Sequence, residues 1–337
     1  MGSRDLDRSA PSRWAEHRCV TTTEPEPAKR VMMVPGDGEA VRRERVNRCN
    51  ITHRRMTIGT HSLFFREAGP IEAPVLLLPH GYPCSSYQYR RLMPALADQW
   101  RTVAFDWPGF GYSDTPDPAE FGYDFDAYAE VLNNVAEALR LERYALWLHD
   151  YGSQIGLRHA IAHPERIAAL IIQNGDIYED VLGPKYETIK AWWADKSPEK
   201  HRPLAEAVSE DGFREEFVGE VSEEVASLVP PDLWKLHWPL MDTPTRKMVA
   251  VRLMEKLEEN LDWFPRYQGY LREHRPPTLV VWGPQDGYMP EASAQAYRRD
   301  LPDAELHILS EAGHWLLETH LEQALPLVRD FLARTFR

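Results

Sequence analysis

Five short segments of the chain are apolar at nearly every position: 74–79, 102–105, 144–148, 167–173 and 277–282. Strands of that kind are buried on both faces, as inside a parallel sheet. Between them lie segments with a helical period. Residues 126–139 place Tyr128, Val131, Leu132, Val135 and Leu139 on one face, and the segment after Asp150 does the same with Ile155, Leu157, Ala160 and Ile161. Upstream, 56–66 reads as a hairpin turning at Gly59-Thr60. Downstream, a strand at 304–309 precedes a helix at 321–335. Strands alternating with helices predict an α/β fold with a mostly parallel central sheet flanked by helices.

Two stretches break the pattern. Residues 1–48 mix Arg, Glu, Pro and Thr with little apolar periodicity, which predicts a disordered or loosely attached extension. Residues 176–275 contain no convincing strand but carry helical stretches with many aromatics, among them Trp192, Trp193, Trp234, Trp238, Trp263, Phe264 and Tyr267. This reads as a helical cap inserted into a core domain made of 49–175 and 276–337.

Composition narrows the class. The 337 residues suffice for one large α/β domain with an insertion, and 11 Trp with 27 Pro point to an aromatic-rich globule with many loops. A net charge of −13 argues against nucleic acid or an anionic membrane as partner. Cys19, Cys49 and Cys84 are too few and scattered for a disulfide framework or a metal site. No run reaches membrane-span length, and the N-terminus lacks the apolar core of a signal peptide. The expectation is a soluble cytoplasmic protein, monomeric or homodimeric, acting on a small apolar molecule.

The chemistry centres on 144–156. A buried strand passes abruptly into a helix, with Asp150 at the junction and Gly152 two residues on. That is the strand–turn–helix of a nucleophile elbow, whose exposed residue is commonly Ser. Here it is an acid. Ser153 is a poor alternative because Tyr151 and Ile155 stand two positions either side, where the turn needs small residues; its hydroxyl is expected to meet a free backbone N–H of the first helical turn. Taken alone, Asp150 reads more readily as a helix N-cap than as an exposed reactive acid. Two more polar signals follow strands: Asp286 after 277–282, and His314 after 304–309. The order nucleophile, acid, histidine is that of α/β-hydrolases.

His-Gly-Tyr-Pro at 80–83, the loop 106–114, His-Asp-Tyr-Gly at 149–152, Trp-Gly-Pro-Gln-Asp at 282–286 and Gly-His at 313–314 occur in order. On these motifs the chain from about Ile51 onward resembles the aspartate-nucleophile branch of the α/β-hydrolases, shared by epoxide hydrolases and haloalkane dehalogenases. The resemblance implies an α/β-hydrolase fold, Asp150 as nucleophile, His314 as the base that activates water, and Asp286 as the acid that orients it. It assigns the oxyanion donors to the backbone N–H groups of Tyr82 and Tyr151. Asp176, just past the strand 167–173, is the alternative third member. The chemistry is consistent: a carboxylate is ionised at neutral pH, attacks an sp³ carbon without help, and forms an ester that water can cleave. No cofactor or metal is required.

The two activities differ in what must receive negative charge. A dehalogenase of the family cradles halide with a Trp after the nucleophile and an Asn after His-Gly, or a Trp of the cap; those first two positions hold Tyr151 and Tyr82. Fluoroacetate dehalogenases carry Arg one and four positions past the nucleophile, where this chain has Tyr151 and Gln154. An epoxide hydrolase needs acidic donors over the epoxide oxygen, usually two cap tyrosines. Trp192, Trp193, Tyr178, Tyr186, Tyr267 and Tyr270 are the cap candidates, with Tyr267 the preferred phenol. Trp192 and Trp193 are neighbours about 100° apart on a helix, so one can enter a site while the other packs, or both can be cap core. The reading is an epoxide hydrolase for a bulky aromatic or polycyclic substrate. Dehalogenation by the same triad is the alternative, and a non-catalytic ligand-binding homologue is the second, disfavoured by the complete triad.

Overall fold

The computed structural model describes residues 50–336; the extension read at 1–48 lies outside them. The chain enters through a hairpin, β1 (Thr52–Ile58) and β2 (His61–Ala68), closed at Gly59-Thr60 with Gly59 at φ +59°. Then come β3 (Val75–Pro79), β4 (Arg101–Phe105), β5 (Tyr144–His149), β6 (Ile167–Gln173), β7 (Thr278–Trp282) and β8 (Glu305–Ile308). They form one eight-stranded sheet in the order β1-β2-β4-β3-β5-β6-β7-β8. β2 pairs antiparallel with β1 and β4; every other pairing is parallel. The five apolar segments become β3 to β7, buried at every residue, while β8 at the edge is half-buried throughout.

Successive side chains of a strand point to opposite faces, so each apolar run feeds two cores. Leu77, Phe105 and Leu146 pack with α1 (Phe125–Ala138) and α2 (Tyr151–Ala162) on one face. Leu76, Leu78, Trp147 and Ile171 pack with the last helix on the other. The helix α1 begins one residue before its periodic pattern because Asp124 caps it, accepting from the Ala127 N–H.

Between β6 and β7 the described residues contain helices and no strand. The longer ones are α3 (Tyr186–Ala194), α4 (Pro198–Ala207), α5 (Glu210–Val218), α6 (Asp232–Met241), α7 (Pro244–Leu261) and α8 (Phe264–His274). The terminal helix is α9 (Leu321–Thr335). The cap helices bond to loops at the strand ends: Arg246 of α7 donates to Thr115 Oγ1, Gly111 O and Ser113 O at 2.8–2.9 Å, and His237 of α6 is 3.0 Å from Ser85 Oγ. No helix among the described residues is long and apolar enough to cross a membrane.

Candidate active site

Asp150 stands between β5 and α2 at φ +51°, ψ −131°, a conformation non-glycine residues rarely adopt. It makes no side-chain capping bond to α2. Its Oδ1 instead accepts from the Tyr82 N–H at 2.5 Å, and the Tyr151 N–H also bonds the carboxyl. The turn is tight enough to dictate glycines. A Cβ on Gly81 would lie 2.5 Å from both Asp150 Cβ and Oδ1, and one on Gly152 would lie 2.5 Å from Pro79 O. Leu148, large for its place two residues before Asp150, fits because Gly156 lacks a side chain; a Cβ there would be 2.4 Å from Leu148 Cδ2. Ser153 differs from expectation: its hydroxyl is buried against Gly175 and has no partner among the described residues.

His314, in the loop after β8, puts Nε2 3.7 Å from Asp150 Oδ2 and donates from Nδ1 to Asp286 Oδ2 at 2.7 Å. The Asp286 carboxylate also accepts from Asn174 Nδ2 (2.7 Å), Tyr288 N (2.9 Å) and Met289 N (3.0 Å). Asn174 was not singled out in the sequence; no local pattern marks it, and its partners lie 109 and 112 residues away. The backbone of His314 is pinned by Gln173, which donates to its carbonyl at 3.0 Å, while the His149 ring packs 4.5 Å away. Asp176 does not reach His314. Its carboxylate accepts from Gln154 at 3.0 Å and from the Tyr186 hydroxyl.

Burial disfavours the imidazolium of His314, but the charge and hydrogen bond of Asp286, with the charges of Asp150 and Glu216, outweigh it and raise the group to about 9. Burial likewise raises the Asp150 carboxyl, opposed by His314 and by the Tyr151 and Tyr82 N–H groups. Asp286 is buried too, yet His314 and three further hydrogen bonds from Asn174, Tyr288 and Met289 hold it below the usual carboxylate range. Asp176 is raised by burial to about 6. Thus His314 rests as an imidazolium between two carboxylates.

A cavity of about 480 Å³, its mouth included, opens over Asp150 and His314. Four tyrosines line it, Tyr82, Tyr151, Tyr186 and Tyr288, with Gln154, Asp176 and Glu216 as the other polar groups and Ile189, Met254, Leu257 and Met289 as apolar wall. The Tyr82 hydroxyl is buried without a partner. Of the cap residues named from sequence, Tyr186 lines the cavity. Trp192, Trp193 and Tyr267 do not: Trp192 packs on His201 and Lys196, Trp193 on Tyr186, and Tyr267 is fully buried against Trp263 and Phe264. Glu216 on α5 was missed, as nothing in its polar helical context distinguishes it from a surface acid. Among the described residues no group of three or more His, Cys, Asp or Glu could hold a metal ion.

One consequence is testable at Gly81. Gly81→Ala should fold but displace the Asp150 carboxyl; misplacement by about 1 Å costs on the order of 10²-fold in rate. Unchanged turnover with a native circular-dichroism spectrum would contradict the close approach.

The fold and this elbow are those of one family, and the chain belongs to it: the family described as alpha/beta hydrolase fold matches residues 74–321. The protein is thus a hydrolase of α/β fold. An uncharacterised hydrolase of Saccharomyces cerevisiae is 32% identical over 265 residues, 77% of this chain and 89% of that one. Among solved structures, the epoxide hydrolase CorEH superposes with a TM-score of 0.69 at 18% identity, covering 85% of this chain and 99% of that one. An ancestral haloalkane dehalogenase gives 0.70 at 22%, covering 84% and 99%. At those identities the two structures share the fold.

Proposed function

We propose that the protein is an epoxide hydrolase that converts an epoxide with an apolar, aryl-sized body to a diol through an ester on Asp150. The observation that carries this reading is the chemistry of the cavity wall. It presents phenols and carboxyls, and apart from His314 its side-chain N–H donor is Gln154, already bonded to Asp176. A departing halide needs N–H donors and would be repelled by Asp176 and Glu216. An opening epoxide needs a proton, which a phenol can supply.

The steps balance as follows. Asp150 Oδ2 attacks an epoxide carbon, the C–O bond breaks, and a phenol protonates the oxygen, either Tyr82, whose hydroxyl has no partner, or Tyr186 once its hydroxyl turns from Asp176. The phenolate takes back a proton as the resting imidazolium of His314 gives its own up, and water then gives a proton to the neutral Nε2 and adds to the ester carbon. The oxyanion on Oδ1 faces the Tyr82 and Tyr151 N–H groups. Collapse expels the diol oxygen with the proton of His314, and the remaining carboxyl proton returns to His314, which rests again as the imidazolium. Esterification removes the negative charge on Asp150 that helps keep His314 protonated, so the base is freed once it is needed.

A substrate panel tests the assignment: aryl epoxides should yield diols, and haloalkanes little or no halide. Strong bromide or chloride release without diol formation overturns it. The phenols give a second prediction. Tyr82→Phe keeps its backbone N–H but loses an unpartnered buried hydroxyl, so it should be as stable as wild type or more so. Tyr186→Phe should slow ring opening by about 10²–10³-fold, the usual loss for one donor to a developing oxyanion. Tyr82→Phe should slow it too, to an extent that reports how the two phenols share the task. Full ring-opening rates in both variants, measured by single-turnover quench, would exclude them as donors.

A further inference from the structure

Behind His314 lies a second chamber of about 290 Å³, mouth included. Its wall includes Glu216, Glu220, Gln285, His314 and Thr319, with Val221 beside them. His314 and Glu216 are the two residues that line both this chamber and the front cavity. Both chambers mix polar and apolar walls; the rear sets two carboxylates, an amide and a hydroxyl beside Phe217, Val221, Val229 and Trp315, enough polar partners to hold an ordered water.

Resting on the reading of an ester on Asp150, we propose that the rear chamber delivers the hydrolytic water to His314 while the alkyl group fills the front cavity, and that Glu216 positions this water where the chambers meet. Once the ester forms, its alkyl group occupies the space over Asp150, and water from the front must pass it. The rear chamber is lined by the same imidazole, and its other walls apart from Glu216 do not line the front cavity. It narrows at Gly313, where a Cβ would come within 2.5 Å of Val221 Cγ1.

Glu216 has room to bind water. Its Oε1 accepts from the Tyr288 hydroxyl at 3.3 Å and its Oε2 lies 3.6 Å from Lys185 Nζ, both longer than the about 2.7–2.9 Å of a strong charge-assisted bond. A carboxylate has about four acceptor sites, so capacity remains. Lys185 is shared with Glu220 at 3.4 Å. The Glu216 charge also favours the imidazolium that forms as His314 takes the water's proton.

The test separates formation of the ester from its decay. Val221→Phe and Thr319→Phe fill the rear chamber from residues that do not line the front cavity. Styrene oxide and, in parallel, bromobutane serve as probes, followed by rapid quench and intact-protein mass spectrometry. Each filled variant should form the adduct within about twofold of wild type and lose it at least about tenfold more slowly, so that adduct accumulates in steady state. Glu216→Gln should slow decay similarly and shift its pH midpoint downward, since one of the charges facing His314 is gone while those of Asp286, Lys185 and Glu220 remain; Glu216→Asp should recover part of both effects. Decay as fast as wild type in the two filled variants, or formation and decay slowed equally, overturns the proposal, as does the lack of any adduct with either probe. Diol or halide as product decides the substrate reading separately, because whichever probe reacts leaves an ester on Asp150.

Discussion

His314→Ala protein, incubated with an epoxide that wild type turns over, should gain the mass of one substrate on the peptide carrying Asp150 and then stall. Attack needs the carboxylate and a phenol but no base, and His314 Nε2 stands 3.7 Å from Asp150 Oδ2, whereas ester cleavage needs a base for water. General-base catalysis contributes about 10²–10⁴-fold, so steady-state turnover should fall by that factor after one stoichiometric burst. The pH dependence has a definite sign. His314 opposes the upward pull of burial on Asp150, so removing the imidazole raises that carboxyl further. Adduct formation in the variant should therefore weaken as pH falls and recover as pH rises. In wild type the hydrolysis step also strengthens with pH, since neutral imidazole is the active form. Its midpoint should lie below the resting value of about 9, because the ester has removed the charge on Asp150. An unmodified Asp150 peptide in the variant at alkaline pH, despite wild-type turnover, would count against the two-step scheme.

Much of this was legible because chemistry and periodicity coincide at strand ends. A run such as Leu170–Ile172 must be buried on both faces, and the polar residues that follow the parallel strands β5, β7 and β8 necessarily emerge at one edge of the sheet. That is why Asp150, Asp286 and His314 could be read as a group and are found within hydrogen-bonding or near-contact distance. The cap was less legible for a physical reason. A helix pattern tells which side chains are apolar but not which neighbour covers them, so Trp192, Trp193 and Tyr267 could not be separated from Tyr186 without tertiary packing. Compensation across the fold is equally silent in sequence. Leu148 looks wrong for an elbow until Gly156 is seen opposite it, and Asn174 reveals its role only through Asp286 and Gly283.

Asp150→Gly should yield a protein that is more stable than wild type and forms no adduct. The side chain holds the backbone at φ +51°, ψ −131°, where a Cβ is strained and glycine is not. Strain of this kind costs about 1–3 kcal/mol and persists at functional positions because the surrounding structure enforces it. Glycine brings an opposing loss of about 0.5–1 kcal/mol from the greater freedom of its unfolded chain, leaving a gain of roughly 1 kcal/mol. Burial of the carboxyl, which raises it, adds to the gain, while the lost contact with the His314 imidazolium subtracts from it. Asp150→Ala separates these contributions, because it removes the charge and keeps the Cβ. Both variants should be inert in the adduct assay, having lost the acceptor oxygen. Between them, glycine should be the more stable in urea unfolding, the reverse of their usual order within regular structure. Alanine equal to or more stable than glycine would show that the elbow stores no strain. The expected order instead ties the exposure of Asp150 to a backbone conformation that Gly81, Gly152 and Gly156 make room for and that costs the fold stability.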